Sequence, residues 1–234
     1  MLLEKAIREA LAEVPTDLAI DSTGSAWAAI RRNPRSIQVS RSIEVLEGGQ
    51  SDFLLDFWMQ GVEYGRGNVA EFEDVVASIV AFLTERAPIR TMTSRFTWFE
   101  PLSSGVAHER GAAEFVSEMW SALERRITGQ DLLEPLRASL NLAAIVREAA
   151  KSPELRQLRP FTSHFSLCFS RTTGYPFSRD CPHADPIGNE LYRVTSADGS
   201  VLIDGVDAVQ AVDALVAALP PNCGPAINGT AEDT

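Results

Sequence analysis

The chain has 234 residues, of which 45% are hydrophobic and 23% charged, and its formal net charge is −11. These values are typical of a globular protein and exclude a general nucleic-acid binder, because phosphate binding needs a surplus of Lys and Arg. No stretch is long and apolar enough to predict a membrane span, and an acidic surface does not favour adsorption to anionic lipids.

The three cysteines predict a reducing environment. Cys168, Cys181 and Cys223 are an odd number without paired spacing. This pattern fits free thiols in the cytoplasm better than a disulfide framework. The N-terminus has charges throughout an amphipathic pattern, so the sequence predicts a first helix there and no signal peptide.

The first half predicts a helix, an antiparallel meander and a return helix. Apolar residues recur with helical spacing in residues 2–14 and 69–86, and with strand alternation between them. Asn33-Pro34 and Gly48-Gly49 are typical turn residues. The predicted strands are residues 26–31, 36–46, 52–60, a short strand or hairpin within 61–67, and 93–100.

The second half predicts two helices followed by a smaller sheet. The helices are residues 107–127 and 131–151, and a helical turn at 154–158 leads into a strand at 161–170. An Asp-Gly turn predicts a hairpin of residues 191–195 and 201–203, before a last helix at 206–219. Residues 222–234 are rich in Gly, Pro, Asn and Thr, which predicts a disordered tail.

The expected fold class is α+β, with antiparallel sheets and flanking helices. Residues 58–83 can be laid over residues 194–219 without a gap, which suggests two similar α-β-meander-α halves. The alternative is that any two amphipathic helices after a hairpin look similar. The predicted organisation is an N-terminal half at 1–104, bridging helices at 105–152, a C-terminal half at 153–221 and the tail at 222–234.

The stretch 161–170 is the most unusual in the chain. Read as one strand, it places Phe161, Phe165, Leu167 and Phe169 on one face, with Ser163 among them. Small hydroxyls, a thiol and an imidazole fall on the other. A face of that kind predicts a pocket wall or a surface covered by another element. Its residues are Thr162, His164, Ser166, Cys168 and Ser170.

His164 is the candidate general base, with Ser166 and Ser170 as candidate hydroxyl partners. The sequence has no Gly-x-Ser-x-Gly elbow, and a buried His held by a hydroxyl or carbonyl is the commoner arrangement. A structural role for His164 is therefore the favoured alternative.

Five residues are candidates for binding. Arg159, Arg171 and Tyr175 lie in or beside a loop of hydroxyls and glycine that could hold an anionic group. His183 and Asp185 follow Cys181 in a run that could supply metal ligands or an activated thiol. Because no second ligand pair has zinc spacing, the sequence predicts no metal and no cofactor.

The run LRQLRPFTSHFSLCFSR, the following Gly-Tyr-Pro and the closing AVQAVDALVAALP resemble an actinobacterial family of uncharacterised proteins found beside natural-product biosynthesis genes. The likeness lies mainly in residues 155–220. It implies a biosynthetic setting, involving a modified peptide or its tailoring enzymes, and implies no catalytic residue. The positions that carry it are Arg159, Pro160, His164, Phe169 and Ser170.

The leading functional hypothesis is an accessory protein of a natural-product pathway that binds a peptide or a partner enzyme. One alternative is a cofactor-free tailoring enzyme that uses the His164 face. Another is an immunity-type protein binder. The residues alone leave open whether the chain is an enzyme, and an oligomer is compatible with them.

Overall fold

The structure is a computed structural model, and it describes residues 3–12, 14, 18–22, 26–32, 41–47, 52–128 and 140–233. The chain forms two compact units, residues 1–109 and 110–232. The described residues contain eight α-helices and two antiparallel sheets, of six and five strands. This confirms the α+β class. None of the described helices combines the length and apolarity needed to cross a membrane.

The N-terminal unit is a six-stranded meander packed against helices. Alternation puts Ile43 and Val45 on the same buried face as Leu55 and Phe57. Helix α2 continues as a π-helical segment, Val80–Thr84. The strand order follows the sequence, from β1 to β6. Its elements are α1 (Leu3–Ala10), β1 (Leu18–Ser22), β2 (Trp27–Arg32), β3 (Arg41–Glu47), β4 (Phe53–Met59), β5 (Val62–Val69), α2 (Phe72–Ile79), α3 (Ile89–Arg95), β6 (Glu100–Pro101) and α4 (Ser103–Arg110).

The predicted strand at 93–100 is wrong. Residues 89–95 form α3, which begins after Pro88, and only Glu100 of the predicted strand lies in β6. The alternating aromatic residues that suggested a strand pack against the sheet instead. Phe99 meets Phe57 edge-on, at 5.1 Å between ring centroids. Strand β1 was not predicted. Part of the predicted strand at 36–46 and both predicted turns lie outside the described residues.

The predicted helix at 107–127 is two helices. Gly111 lies between α4 and α5 (Ala112–Thr128) with φ of +123°, a conformation that L side chains rarely adopt. The next helix, α6 (Leu140–Ala149), matches the end of the predicted 131–151 helix, whose residues 131–139 lie outside the described ones.

The C-terminal unit packs three helices on one face of a five-stranded sheet, ordered β11-β10-β9-β8-β7. Trp120 of α5 and Ile145 of α6 are fully buried in the same cluster as Leu167 and Tyr192 of the sheet. Helices α5 and α6 of the predicted bridge thus belong to this unit's core, while α4 lies in the N-terminal unit. Its remaining elements are α7 (Pro153–Arg156), β7 (Arg159–Ser163), β8 (Ser166–Ser170), β9 (His183–Gly188), β10 (Leu191–Thr195), β11 (Val201–Val206), α8 (Ala208–Ala217) and a 3-10 turn (Ala231–Asp233).

The stretch 161–170 is a hairpin and not one strand. Ser163 pairs with Ser166, and His164 and Phe165 form a two-residue turn in which His164 has φ of +54°. The turn exchanges the two faces of the alternation. Phe161 therefore lies opposite Cys168 on the same face of the sheet, whereas the prediction placed it with Leu167 and Phe169.

Two further hairpins follow. Asn189 and Glu190 both have positive φ between β9 and β10, as the tight turns of hairpins require. The predicted Asp-Gly hairpin is confirmed by β10 and β11, with Gly199 at φ of +88°. Strand β9 was not predicted, because Pro182 and Pro186 suggested a loop.

The C-terminal segment, residues 222–231, differs from the disordered tail that its composition predicts. Thr172 and Ile227 form a parallel bridge, in which the Thr173 amide donates to the Ile227 carbonyl at 3.0 Å. The Ala231 amide donates to the Pro176 carbonyl at 2.7 Å. Backbone hydrogen bonds need no apolar side chains, which explains why composition misled.

The gapless overlay of the two halves is consistent with the elements in one respect. It aligns the first residues of α2 and α8, Phe72 and Ala208, and the fully buried Ile79 and Leu215. The further correspondence of residues 36–46 with 161–170 is wrong, because the second stretch is a hairpin.

Replacing Gly105 with alanine should destabilise the N-terminal unit by about 1–3 kcal/mol. A Cβ there would lie 2.5 Å from the Tyr64 Cα, and backbone cannot move aside as a flexible side chain can. Urea unfolding followed by tryptophan fluorescence measures the change. Arg110→Ala, at an exposed position of the same helix, is the control and should change stability by less than about 0.5 kcal/mol. Equal stability of the two variants would contradict the packing.

Candidate ligand-binding cleft

A cleft of about 450 Å³ lies on the sheet face of the C-terminal unit that the helices leave uncovered. The hairpin β7–β8 supplies one wall, and the β8–β9 loop, residues 171–182, supplies the other. The lining combines four Phe or Tyr rings with three Ser or Thr hydroxyls, two thiols and the side chains of Arg179 and His183. This volume is within the usual range for small-molecule or side-chain pockets.

The aromatic rings of the cleft form a connected stack. Phe161 of β7 lies 4.4 Å from Phe177 of the loop, and Tyr175 meets Phe177 edge-on at 5.5 Å, all between ring centroids. Tyr175 is 64% exposed and forms the rim. Because the rings contact one another, they form a continuous apolar wall on one side of the cleft.

Arg159 lies beneath this wall. Its guanidinium carbon is 4.1 Å from the Phe177 ring centroid and 5.2 Å from that of Phe115 on α5. One terminal nitrogen donates to the Thr173 carbonyl, while Nε is buried without a hydrogen-bond partner. Burial lowers the pKa of Arg159 to about 10, and no carboxylate among the described residues forms an ion pair with it. The group stays protonated at neutral pH.

Ser170 organises the loop and is remote from the cleft's open side. Its hydroxyl is fully buried and accepts from the backbone amides of Thr172 and Ser178, at 3.1 and 3.2 Å. The Ser178 hydroxyl in turn accepts from the Arg171 amide at 2.8 Å. A hydroxyl that satisfies two buried amides has a structural role.

Ser166, Asp185 and His183 form a cluster beside the cleft. The Ser166 hydroxyl donates to one carboxylate oxygen of Asp185, and His183 Nε2 lies 3.6 Å from the other. The carboxylate stands between the hydroxyl and the imidazole. A nucleophilic triad needs the imidazole in the middle, so that it can take the hydroxyl proton, and this cluster does not have that order.

The structure separates the three predicted catalytic residues. His164 is exposed at the hairpin tip, where its Nδ1 lies 3.4 Å from the Ser163 hydroxyl. Ser170 pairs with Arg159 at the far end of the hairpin, four residues from Ser166 and about 13 Å along the strand at ~3.3 Å per residue. The expected mid-strand His164 beside Ser166 and Ser170 is therefore wrong in its geometry.

Three of the five predicted binding residues lie together at the cleft. Tyr175 and His183 line the cleft, and Arg159 lies below it. Arg171 forms an ion pair with Asp180 at 2.6 Å. The basic residue that sequence reasoning missed is Arg179, which is exposed on the cleft wall. Its only sequence signal is its place in the loop after Tyr175 and Phe177.

The three thiols are protonated and free. Burial and the neighbouring Asp185 raise the pKa of Cys168 to about 11, and burial raises the pKa of Cys181, whose thiol donates to Asp180 Oδ1 at 3.9 Å. The candidate activation of Cys181 by His183 has no support in this geometry. Among the described residues, no group of three or more His, Cys, Asp or Glu side chains is arranged to hold a metal ion.

Comparison with known proteins gives one match. A family model described as "Family of unknown function (DUF6193)" matches residues 114–230, which is 117 of 234 residues. The chain belongs to this family. The DUF6193 match begins in α5 and ends at residue 230 of the C-terminal segment, so it contains the cleft and Ile227, while Ala231 lies one residue beyond it. Comparisons with curated proteins and with solved structures find no match.

Alkylation of Cys168 by iodoacetamide should be about a hundredfold slower at pH 7.4 than in the urea-unfolded chain. The reacting species is the thiolate, and a pKa near 11 leaves far less of it than the ordinary value of 9.0. Peptide mapping by mass spectrometry resolves the three cysteines. The rate should still rise tenfold per pH unit up to pH 10. A plateau near pH 9 would show that access alone, and not the pKa, slows the reaction.

The variant Ser170→Ala should lose about 2–4 kcal/mol of stability, because two buried amides lose their acceptor. Urea unfolding of the full chain measures the loss. Ser117→Ala, on the exposed side of α5, is the matched control and should unfold like the parent chain. If Ser170→Ala were as stable as the control, the hydroxyl network would not hold the loop.

Proposed function

We propose that the C-terminal unit is a binding module whose cleft receives an aromatic or other bulky apolar side chain of a peptide or partner protein. The observation that carries the proposal is the stack of contacting rings, Phe161, Phe177 and Tyr175, around a cleft of about 450 Å³. Interface hot spots are enriched in such rings, and rings that are already packed on one another lose less side-chain entropy on binding.

The site's chemistry supports binding better than catalysis. The thiols are held protonated, the hydroxyl of Ser170 is bound to backbone, and the Ser166 hydroxyl faces a carboxylate and not an imidazole. If the protein were a tailoring enzyme, its candidate general base would be His183, which lines the cleft, and not His164. No nucleophile stands within the contacts of His183 that the structure describes, which is why binding is the better supported function.

The natural-product setting is part of the proposal and rests on the sequence resemblance. An accessory protein for a modified peptide would need a pocket for a side chain of that peptide, and the aromatic wall of the cleft supports such a role. An immunity-type binder would use the same surface. The accessory protein and the immunity-type binder would both bind a peptide or protein in the cleft, so one binding experiment tests both hypotheses.

A phage-displayed peptide library selected on the full chain should enrich peptides with Phe, Tyr or Trp. Fluorescence anisotropy of an enriched peptide should then show about tenfold weaker binding to Tyr175→Ala, because truncating a hot-spot aromatic costs more than ~1 kcal/mol. The matched control is Phe165→Ala, which removes an aromatic ring that is 49% exposed at the hairpin tip and does not line the cleft.

The proposal fails if enriched peptides lack aromatic residues, or if both variants bind them as the parent chain does. A second variant is designed to block the cleft while leaving the aromatic stack intact. Ala197→Trp, at an exposed lining position in the β10–β11 turn, should abolish binding while the unfolding midpoint in urea stays unchanged.

A further inference from the structure

The cleft differs in charge from the rest of the protein. The chain carries 32 acidic and 21 Lys or Arg residues. None of the described residues that line the cleft carries a carboxylate, whereas Arg179 and His183 do line it. Arg179 is exposed and forms no ion pair with any described residue.

The carboxylates nearest to the cleft already have partners. Asp180 forms an ion pair with Arg171, at 2.6 Å between Oδ2 and a terminal guanidinium nitrogen. Asp185 accepts from the Ser166 hydroxyl and lies beside His183. Arg171 therefore offsets the charge of Asp180, whereas Asp185 acts on the cleft-lining Cys168, and neither carboxylate forms an ion pair with Arg179.

Arg159 adds a second positive charge, under the aromatic wall. It contacts the back of the Phe177 ring, its Nε is buried without a partner, and a neutral carbonyl is its hydrogen-bond acceptor. A desolvated cation without a counter-ion is costly, and a bound anion would reduce that cost. Its field reaches a ligand on the other side of the ring, because the screening length at physiological salt is about 8 Å.

From this charge arrangement we infer that the cleft selects acidic peptides, in which a carboxylate side chain lies next to the aromatic residue. This inference rests on the proposed binding function and specifies its ligand. The aromatic ring would pack on Phe161 and Phe177. The neighbouring carboxylate would face Arg179 at the rim, with Arg159 contributing to the positive potential.

The test uses four blocked pentapeptides as probes, with central triplets Glu-Phe-Glu, Gln-Phe-Gln, Lys-Phe-Lys and Glu-Ala-Glu between glycines. Binding to the full chain is followed by NMR chemical-shift titration. The Glu-Phe-Glu peptide should bind at least tenfold more tightly than the Lys-Phe-Lys peptide, and its affinity should fall as NaCl is raised from 50 to 500 mM.

The variant Arg179→Gln should weaken the Glu-Phe-Glu peptide about two- to fivefold and leave the Gln-Phe-Gln peptide unchanged, as expected for one solvent-exposed charge. Arg147→Gln is the matched control, because it removes the same charge from an exposed position of α6, outside the cleft lining. It should leave both affinities unchanged.

The outcomes separate the two proposals. Equal or tighter binding of the Lys-Phe-Lys peptide, or equal effects of Arg179→Gln and Arg147→Gln, overturns the acidic preference while the aromatic cleft stands. Equal binding of the Glu-Ala-Glu and Glu-Phe-Glu peptides overturns the aromatic function. Absence of binding by all four peptides overturns both.

Discussion

The guanidinium of Arg159 contacts the rings of both Phe115 and Phe177, and these contacts join helix α5 to the cleft. Phe115 is fully buried on α5, while Phe177 lines the cleft. Desolvated cation–π contacts contribute about 2 kcal/mol each, which offsets part of the cost of burying a charge without a counter-ion. The position of the β8–β9 loop therefore depends on a charge that the helical core holds.

The backbone reinforces that position from the other side. Ser170 accepts from two amides of the loop, and the C-terminal segment adds hydrogen bonds from Ile227 and Ala231. The loop is thus held by β7, by β8 and by the chain's last residues. These hydrogen bonds are made by backbone groups and by the hydroxyl of Ser170. A cleft wall that is fixed by polar contacts can present its rings to a ligand and not to the core.

Sequence patterns predicted the fold class, the first-half meander and the Asp-Gly hairpin, because alternation and turn chemistry are local properties. Within β8 they also placed Leu167 and Phe169 inward and Cys168 outward. They missed the turn at His164 because a two-residue loop keeps the period of two while exchanging the faces, and His-Phe is not typical turn chemistry. Because this turn was missed, the predicted grouping of His164, Ser166 and Ser170 on one strand face was wrong.

Arg179 was missed because its sequence context is the same for an exposed arginine that contacts only solvent and for one that faces a ligand.

The net charge of −11 is a poor guide to the sign of the proposed ligand. At physiological salt, exposed charges more than about 8 Å apart are largely screened, so a ligand in the cleft responds mainly to the groups that surround it. The positively charged groups there are Arg179 and the buried Arg159, and partial desolvation strengthens their interaction relative to bulk water. An acidic surface would slow the approach of an acidic peptide, while the cleft would retain it once bound. Selectivity of this kind would be expressed in the dissociation rate, where most differences in affinity between related ligands arise.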